Sequence, residues 1–150
     1  MPSARVGAGA QVQQSILGSG SVVHGTVERS LISPGVRIDH GAEVRDSVIL
    51  HGTHVGQGAV VDRAIVDKEV VIGPDARVGV GAVEGPNEGR PDLLWSGLNV
   101  IGKSARIPSS FVLLRNTVIG PLVGPELQEL SSLPAGATVR SQQTRSPLTI

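Results

Sequence analysis

Residues 28–44 (ERSLISPGVRIDHGAEV), 45–61 (RDSVILHGTHVGQGAVV) and 62–78 (DRAIVDKEVVIGPDARV) align beneath one another without a gap, a period of 17 residues. A fixed period constrains a fold more than any local propensity does, because each unit must bury its apolar face against the next. In this register Val27, Val44, Val61 and Val78 share a column, as do Ile32, Ile49 and Val66, and as do Ile38, Val55 and Ile72. The aliphatics thus recur at intervals of five, six and six. A helix needs intervals of three or four, and a hairpin sheet needs strands that reverse; this spacing instead describes a coil with three short sides and three turns.

Such a coil stacks on its neighbour through parallel pairing, with like residues about 4.8 Å apart along the axis. Ala42, Ala59 and Ala76 fall where an interior corner admits little more than a methyl group. Gly35, Gly41, Gly52 and Gly58 fall where the chain must turn. The expected fold is therefore all-β: a single-stranded, left-handed parallel β-helix of the hexapeptide-repeat type, spanning 6–140. The segment from Val12 to Val27 repeats the theme with two residues fewer and reads as a shortened first coil.

Two outward columns carry charge. Glu28, Arg45 and Asp62 form one, and Arg29, Asp46 and Arg63 the next, so each alternates in sign from coil to coil. Alternating charges attract where stacked like charges would repel, which favours one register among near-identical coils.

After Val78 the period breaks in VGAVEGPNEGRPDLLWSGLN, read as an excursion loop over 83–98. It resumes as VIGKSARIP, with Ile101 and Ile107 six apart, continues less regularly through Leu113, Val118 and Val123, and returns in PAGATV, 134–139. The segment PELQELSSL, 125–133, is compatible with a short helix carrying Leu127 and Leu130 on one face, with Pro125 in its first turn. The irregular first coil and this segment are the expected caps of the β-helix. Residues 1–5 read as a linker remnant and 141–150 as a flexible C-terminal tail.

Aromatic residues make up 1% of the chain, Trp95 and Phe111, so the 39% of hydrophobic residues must form the core as stacked branched side chains. A formal charge of zero argues for neither nucleic acid nor an anionic membrane as partner. The absence of cysteine excludes disulfides, thiolate metal sites and a cysteine nucleophile. The opening MPSARVGAGAQV has neither part of a signal peptide, and no apolar stretch is long enough to span a bilayer; a soluble, cytoplasmic protein is expected.

Four histidines are the first candidates for catalysis or metal binding. By column, His40 lies over Gln57 and Pro74, His51 between Pro34 and Lys68, and His54 between Arg37 and Val71, so no two share a column. Free-standing acyl transfer with His51 or His54 as base, or a γ-class carbonic-anhydrase-like zinc site, is the alternative that this arrangement disfavours. Gly-rich VGAGAQV and LGSGSVV lead into repeat turns, and no Ser/His/Asp set is apparent. Arg5, Arg29, Arg37 and Arg63 are candidate contacts for a phosphorylated small molecule, although surface roles account for most of them. The expectation is no catalytic residue, no metal ligand and no cofactor, with the effector-binding residues unknown.

The run ERSLISPGVRIDHGAEVRDSVILHGTHVGQGAVVDRAIVDKEVVIG, the NEGRPDLL loop and the resumption GLNVIGKSARIP closely resemble the C-terminal β-helix of glucose-1-phosphate adenylyltransferases (ADP-glucose pyrophosphorylases). The opening PSARVG resembles the linker between that family's two domains. In the family, catalysis belongs to an N-terminal Rossmann-like domain with a GGxGTRL-type loop, a metal-binding aspartate and a lysine for the sugar phosphate, none of which occurs here. The resemblance implies a non-catalytic oligomerising and allosteric domain, either excised or encoded as a short gene product. Its implied partners are further copies of itself, a catalytic nucleotidyltransferase domain and a phosphorylated small-molecule effector.

Overall fold

The computed structural model describes residues 2–142 and shows an all-β, left-handed parallel β-helix with three flat sides. The first side stacks six strands: Arg5–Val6, Val22–Val23, Arg37–Ile38, His54–Val55, Val71–Ile72 and Arg106–Ile107. The second stacks seven: Gln11–Gln13, Thr26–Glu28, Glu43–Arg45, Val60–Asp62, Arg77–Val80, Val112–Leu114 and Ser132–Leu133. The third also stacks seven: Ile16–Leu17, Leu31–Ile32, Val48–Ile49, Ala64–Val66, Asn99–Ile101, Val118–Ile119 and Thr138–Val139.

The columns predicted from the period are the core. Val27, Val44, Val61 and Val78 are fully buried, as are Ile49, Val66, Ile38 and Val55, with the three small alanines Ala42, Ala59 and Ala76 at the inner corners. Register follows the alignment, with Val61 opposite Val44 and Val78, and Val55 opposite Ile38 and Ile72. Each inward side chain therefore touches its counterparts above and below, which supplies a continuous core that is aliphatic apart from Phe111.

The corners differ in chemistry. Gly35, Gly41, Gly52 and Gly58 adopt φ of 71–74°, where glycine has no Cβ to clash. The corner between the second and third sides is left-handed too, but it uses Gln14, Arg29, Asp46 and Arg63, with φ of 45–51°. Just inside it, serines form a ladder. The Ser15 hydroxyl accepts from Ser30 N, that of Ser30 from Ser47 N, and that of Ser47 from Ala64 N, each at 3.1 Å. Each hydroxyl also donates to a carbonyl two residues back in its own coil. These hydroxyls satisfy amides that the sharp turn directs away from the sheet ladder.

Six regions depart from the simplest reading. The two missing residues of the first full coil fall after Val23, since Val22 pairs with Arg37 and Thr26 with Glu43. The coil from Ile101 to Ile119 is instead one residue longer than the period, so Val118 faces outward and Ile119 fills the interior. Of the segment 125–133, only Pro125–Leu127 is helical, as a single 3-10 turn; Leu127 is buried and Leu130 exposed. The irregular excursion runs from Gly81 to Leu98, between the strands Arg77–Val80 and Asn99–Ile101. Arg5, within the stretch read as linker, already pairs with Val22. Ser141 is buried, and the rest of the expected tail, from residue 143, lies outside the described residues.

Candidate functional site

The shortened corner after Val23 gathers most of the histidine chemistry. Seventeen-residue spacing sets His24 against Gly41, and the actual register sets it against Asp39. The shortfall leaves His40 between those positions, and the His24 and His40 rings stack with centroids 4.5 Å apart and planes 24° from parallel. The column test therefore missed a pair that exists because the coil is short. The signal was present: the gap in the alignment falls at His24 and Gly25.

Next to this pair, His54 Nε2 donates to Asp39 Oδ2 at 2.7 Å, and Arg37 Nε donates to Asp39 Oδ1 at 2.9 Å. Partial burial works to raise the Asp39 carboxyl, but the hydrogen bonds from His54 and Arg37 outweigh it and hold the group below its ordinary value. A carboxylate that orients an imidazole is half of a general-base arrangement. Here Arg37 shares the same carboxylate. His51 lies on a separate exposed turn on the neighbouring corner. Among the described residues, no group of three or more His, Asp or Glu is arranged to hold a metal ion.

The arginines are mostly committed to the scaffold. Arg29 makes a bidentate pair with Asp46 at 2.7 and 3.1 Å, while Arg63 Nη1 turns to the carbonyl of Ser96 at 2.8 Å. The charge columns are in register, but only part of each ladder closes: Arg45 reaches Glu43 at 2.7 Å and Asp62 at 3.8 Å. Arg5 is exposed on the first side.

The excursion loop is held by polar groups that periodicity cannot reveal. Asn87, fully enclosed, donates through Nδ2 to the carbonyls of Asn116 and Gly136 at 2.8 and 3.1 Å, and its Oδ1 accepts from Gly89 N and Arg90 N. Asn116 in turn bonds Gly85 O and Gly97 N. Arg115 ties Gly81 O to Asp62. The loop thus folds back over the last two coils, where Arg90, Arg140, Thr138 and Val118 line a groove of about 280 Å³. Of the carboxylates in the loop, Glu88 accepts from Thr138 N and Asp92 lies 3.5 Å from Arg90.

A family model described as "GlmU-like, C-terminal hexapeptide" matches residues 2–89. Glucose-1-phosphate adenylyltransferase of Thermomicrobium roseum is 43% identical over 148 residues, which is 98% of this chain and 33% of that protein. The enzyme of the same name from Acetivibrio thermocellus is 33% identical over 125 residues, 83% of this chain and 29% of that protein. The chain thus spans about a third of the length of these relatives. Among solved structures, the acetyltransferase domain of PglB from Neisseria gonorrhoeae FA1090 superposes with a TM-score of 0.51 at 22% identity, covering 92% of this chain and 54% of that one; the likeness is one of fold.

Proposed function

This chain belongs to the GlmU-like C-terminal hexapeptide family and is related to the glucose-1-phosphate adenylyltransferases, and on that premise we propose that it is the non-catalytic assembly and allosteric domain of such an enzyme. The observation that carries this reading is 43% identity across 98% of the chain to a third of a glucose-1-phosphate adenylyltransferase. The geometry supports the same role. The described residues form a three-sided prism of stacked parallel strands, whose flat sides are suited to packing against other domains. The conversion of ATP and glucose 1-phosphate to ADP-glucose, in glycogen-type glucan synthesis, is then the work of a catalytic nucleotidyltransferase domain that this one assembles and regulates.

A phosphorylated effector would find a groove lined by two arginines beneath the excursion loop. Arg90 and Arg140 there supply planar, permanently charged forks suited to phosphate oxygens. Arg29 and Arg37 are poorer contacts, because they hold Asp46 and Asp39 at 2.7 and 2.9 Å, whereas Arg90 lies 3.5 Å from Asp92.

The test is ligand-dependent thermal stability, since a ligand bound only by the folded state raises the melting midpoint. Hexose phosphates and adenine nucleotides are expected to raise it, the rise is expected to shrink when Arg90 and Arg140 are both replaced by Ala, and the chain alone is expected to form no ADP-glucose. Tight binding of acetyl-CoA, with acetyl transfer lost in His51→Ala or His54→Ala, would overturn the reading, as would stoichiometric zinc.

A further inference from the structure

The third side carries an aliphatic stripe on its outer surface. Ile16, Leu31, Val48, Ile65, Val100 and Val118 succeed one another in register. Ile16 is 67% exposed, Leu31 40% and Ile65 39%. On the other two sides the corresponding outward positions include Arg37, His54, Arg77, Arg106, Glu43 and Thr26. An unbroken apolar stripe on one side of a solvated prism marks a contact surface.

Building on the assembly role proposed above, we propose that this stripe pairs with the same stripe of a second copy, antiparallel, about a two-fold axis lying between the coils of Leu31 and Val48. The charges at its edge select the arrangement. In an antiparallel pair, the corner bearing Gln14, Arg29, Asp46 and Arg63 faces its own reversed copy. With the axis between Leu31 and Val48, each intrachain Arg29–Asp46 pair meets the partner's in reverse, so that Arg29 faces the partner's Asp46 and charges alternate across the seam, while Gln14 faces the partner's Arg63, which also holds Ser96 O. Along the stripe, Ile16 meets the partner's Ile65 and Leu31 the partner's Val48.

Neighbouring registers fail on sign or on sterics. An axis through the Leu31 coil sets Arg29 against the partner's Arg29, and one through the Val48 coil sets Asp46 against Asp46 and Arg29 against Arg63; like charges held together are disfavoured. An axis between Val48 and Ile65 restores sign but brings the Ile16 coil against the partner's Val118 coil, which the excursion loop overhangs through Asn87, Gly89 and Arg90. In the favoured register that overhang lies beyond the end of the partner's first coil, and the loop meets the Ile65 coil through Ser96, whose carbonyl accepts from Arg63. The opposite edge brings no like charges together either, since Asp67 faces the partner's Gly18 and Lys68 the partner's Ser19.

Four coils about 4.8 Å tall and five residues wide give roughly 300 Å² of flat contact per protomer. A standard interface buries about 800 Å² of accessible surface per partner, so this contact should be reversible and concentration-dependent.

The chain contains no cysteine, so crosslinking reads the register directly. Ile16→Cys and Ile65→Cys chains are mixed, oxidised and compared with each variant alone. The mixture is expected to form a disulfide dimer, whereas either variant alone, its thiols three coils apart along the axis, is not. Sedimentation equilibrium of the unaltered chain from 10 µM to 1 mM (concentrations chosen to bracket the ~µM-to-mM range of weak complexes) is expected to show a monomer–dimer equilibrium that Leu31→Glu weakens at least tenfold. Circular dichroism checks that each variant keeps the β-helix. A chain monomeric at 1 mM, or a dimer that survives Leu31→Glu without the mixed crosslink, overturns the pairing. Neither result bears on the assembly-domain reading, which sugar-phosphate binding tests separately; a monomer would make a nucleotidyltransferase domain the better occupant of the stripe.

Discussion

Asp39 Oδ2 lies 2.7 Å from Nε2 of His54, one coil away on the axis of the β-helix, and the same carboxylate receives Arg37. The folded-state value of Asp39 is depressed, so its stabilising contribution is present above the unfolded-state value of about 4 and is lost as pH falls through the folded-state value. Both partners are partly solvated, which limits the effect to under about 1 kcal/mol. Melting temperatures from pH 7 down to pH 3 should fall less steeply on the acid side in Asp39→Asn than in the parent. Superimposable acid limbs would show that the pair contributes nothing.

Gly41 has φ of 74°, and a Cβ placed there would meet only ordinary contacts with Gly58, at 3.8 Å. Gly41→Ala should therefore cost the conformational penalty alone, about 1–2 kcal/mol. At the charged corner Asp46 has φ of 49°. Asp46→Asn should keep most of the stability, because Asn tolerates this region, whereas Asp46→Val should lose more than Gly41→Ala, because a β-branched residue does not. Urea denaturation of the three variants gives the order.

Asn87 occupies the interior of the excursion loop, with Nδ2 bonded to the carbonyls of Asn116 and Gly136. Asn87→Ala takes the side-chain donor from the Asn116 carbonyl, while Gly136 O keeps the N–H of Glu88, at a cost of about 1–3 kcal/mol. The loss should be local, freeing the loop from the last coils. Limited digestion with a glutamate-specific protease should then cut after Glu84 and Glu88, in the loop, many times faster than in the parent. Unchanged cleavage would mean that Asn116 and Arg115 hold the loop by themselves.

Ile49 is fully buried at the middle of the stack, whereas Val118 points outward. Ile49→Ala should cost about 2–5 kcal/mol, through lost burial and the cavity it leaves. Val118→Ala should stay within about 0.5 kcal/mol. Equal costs for the two would contradict the assignment of Ile119, rather than Val118, to the interior.

The aliphatic columns were legible because periodicity is a one-dimensional signal, and a residue 17 positions on occupies the same place on the next coil. Its failures occur where the period changes. His24 and His40 meet because two residues are missing from one corner, and Val118 turns outward because one is added to a later coil. The serine ladder, Ser15, Ser30 and Ser47, was visible as a column, but a buried hydroxyl is recognised only once the unpaired corner amides are known. Asn87 carried no signal, because its partners, Asn116 and Gly136, are 29 and 49 residues away.

By itself the sequence determined the coil, its core and its stacking direction, since aliphatics at five, six and six positions can be buried together in that geometry and not in a helix or a hairpin sheet. Only the tertiary structure decided what the outer surface offers. Closing the prism brings Ile16, Leu31, Val48 and Ile65 into one exposed line and folds the excursion loop over the end of that line. It also holds Arg29 on Asp46 at a left-handed corner. These outcomes depend on which residues become neighbours across coils, through contacts whose partners lie far apart in the chain.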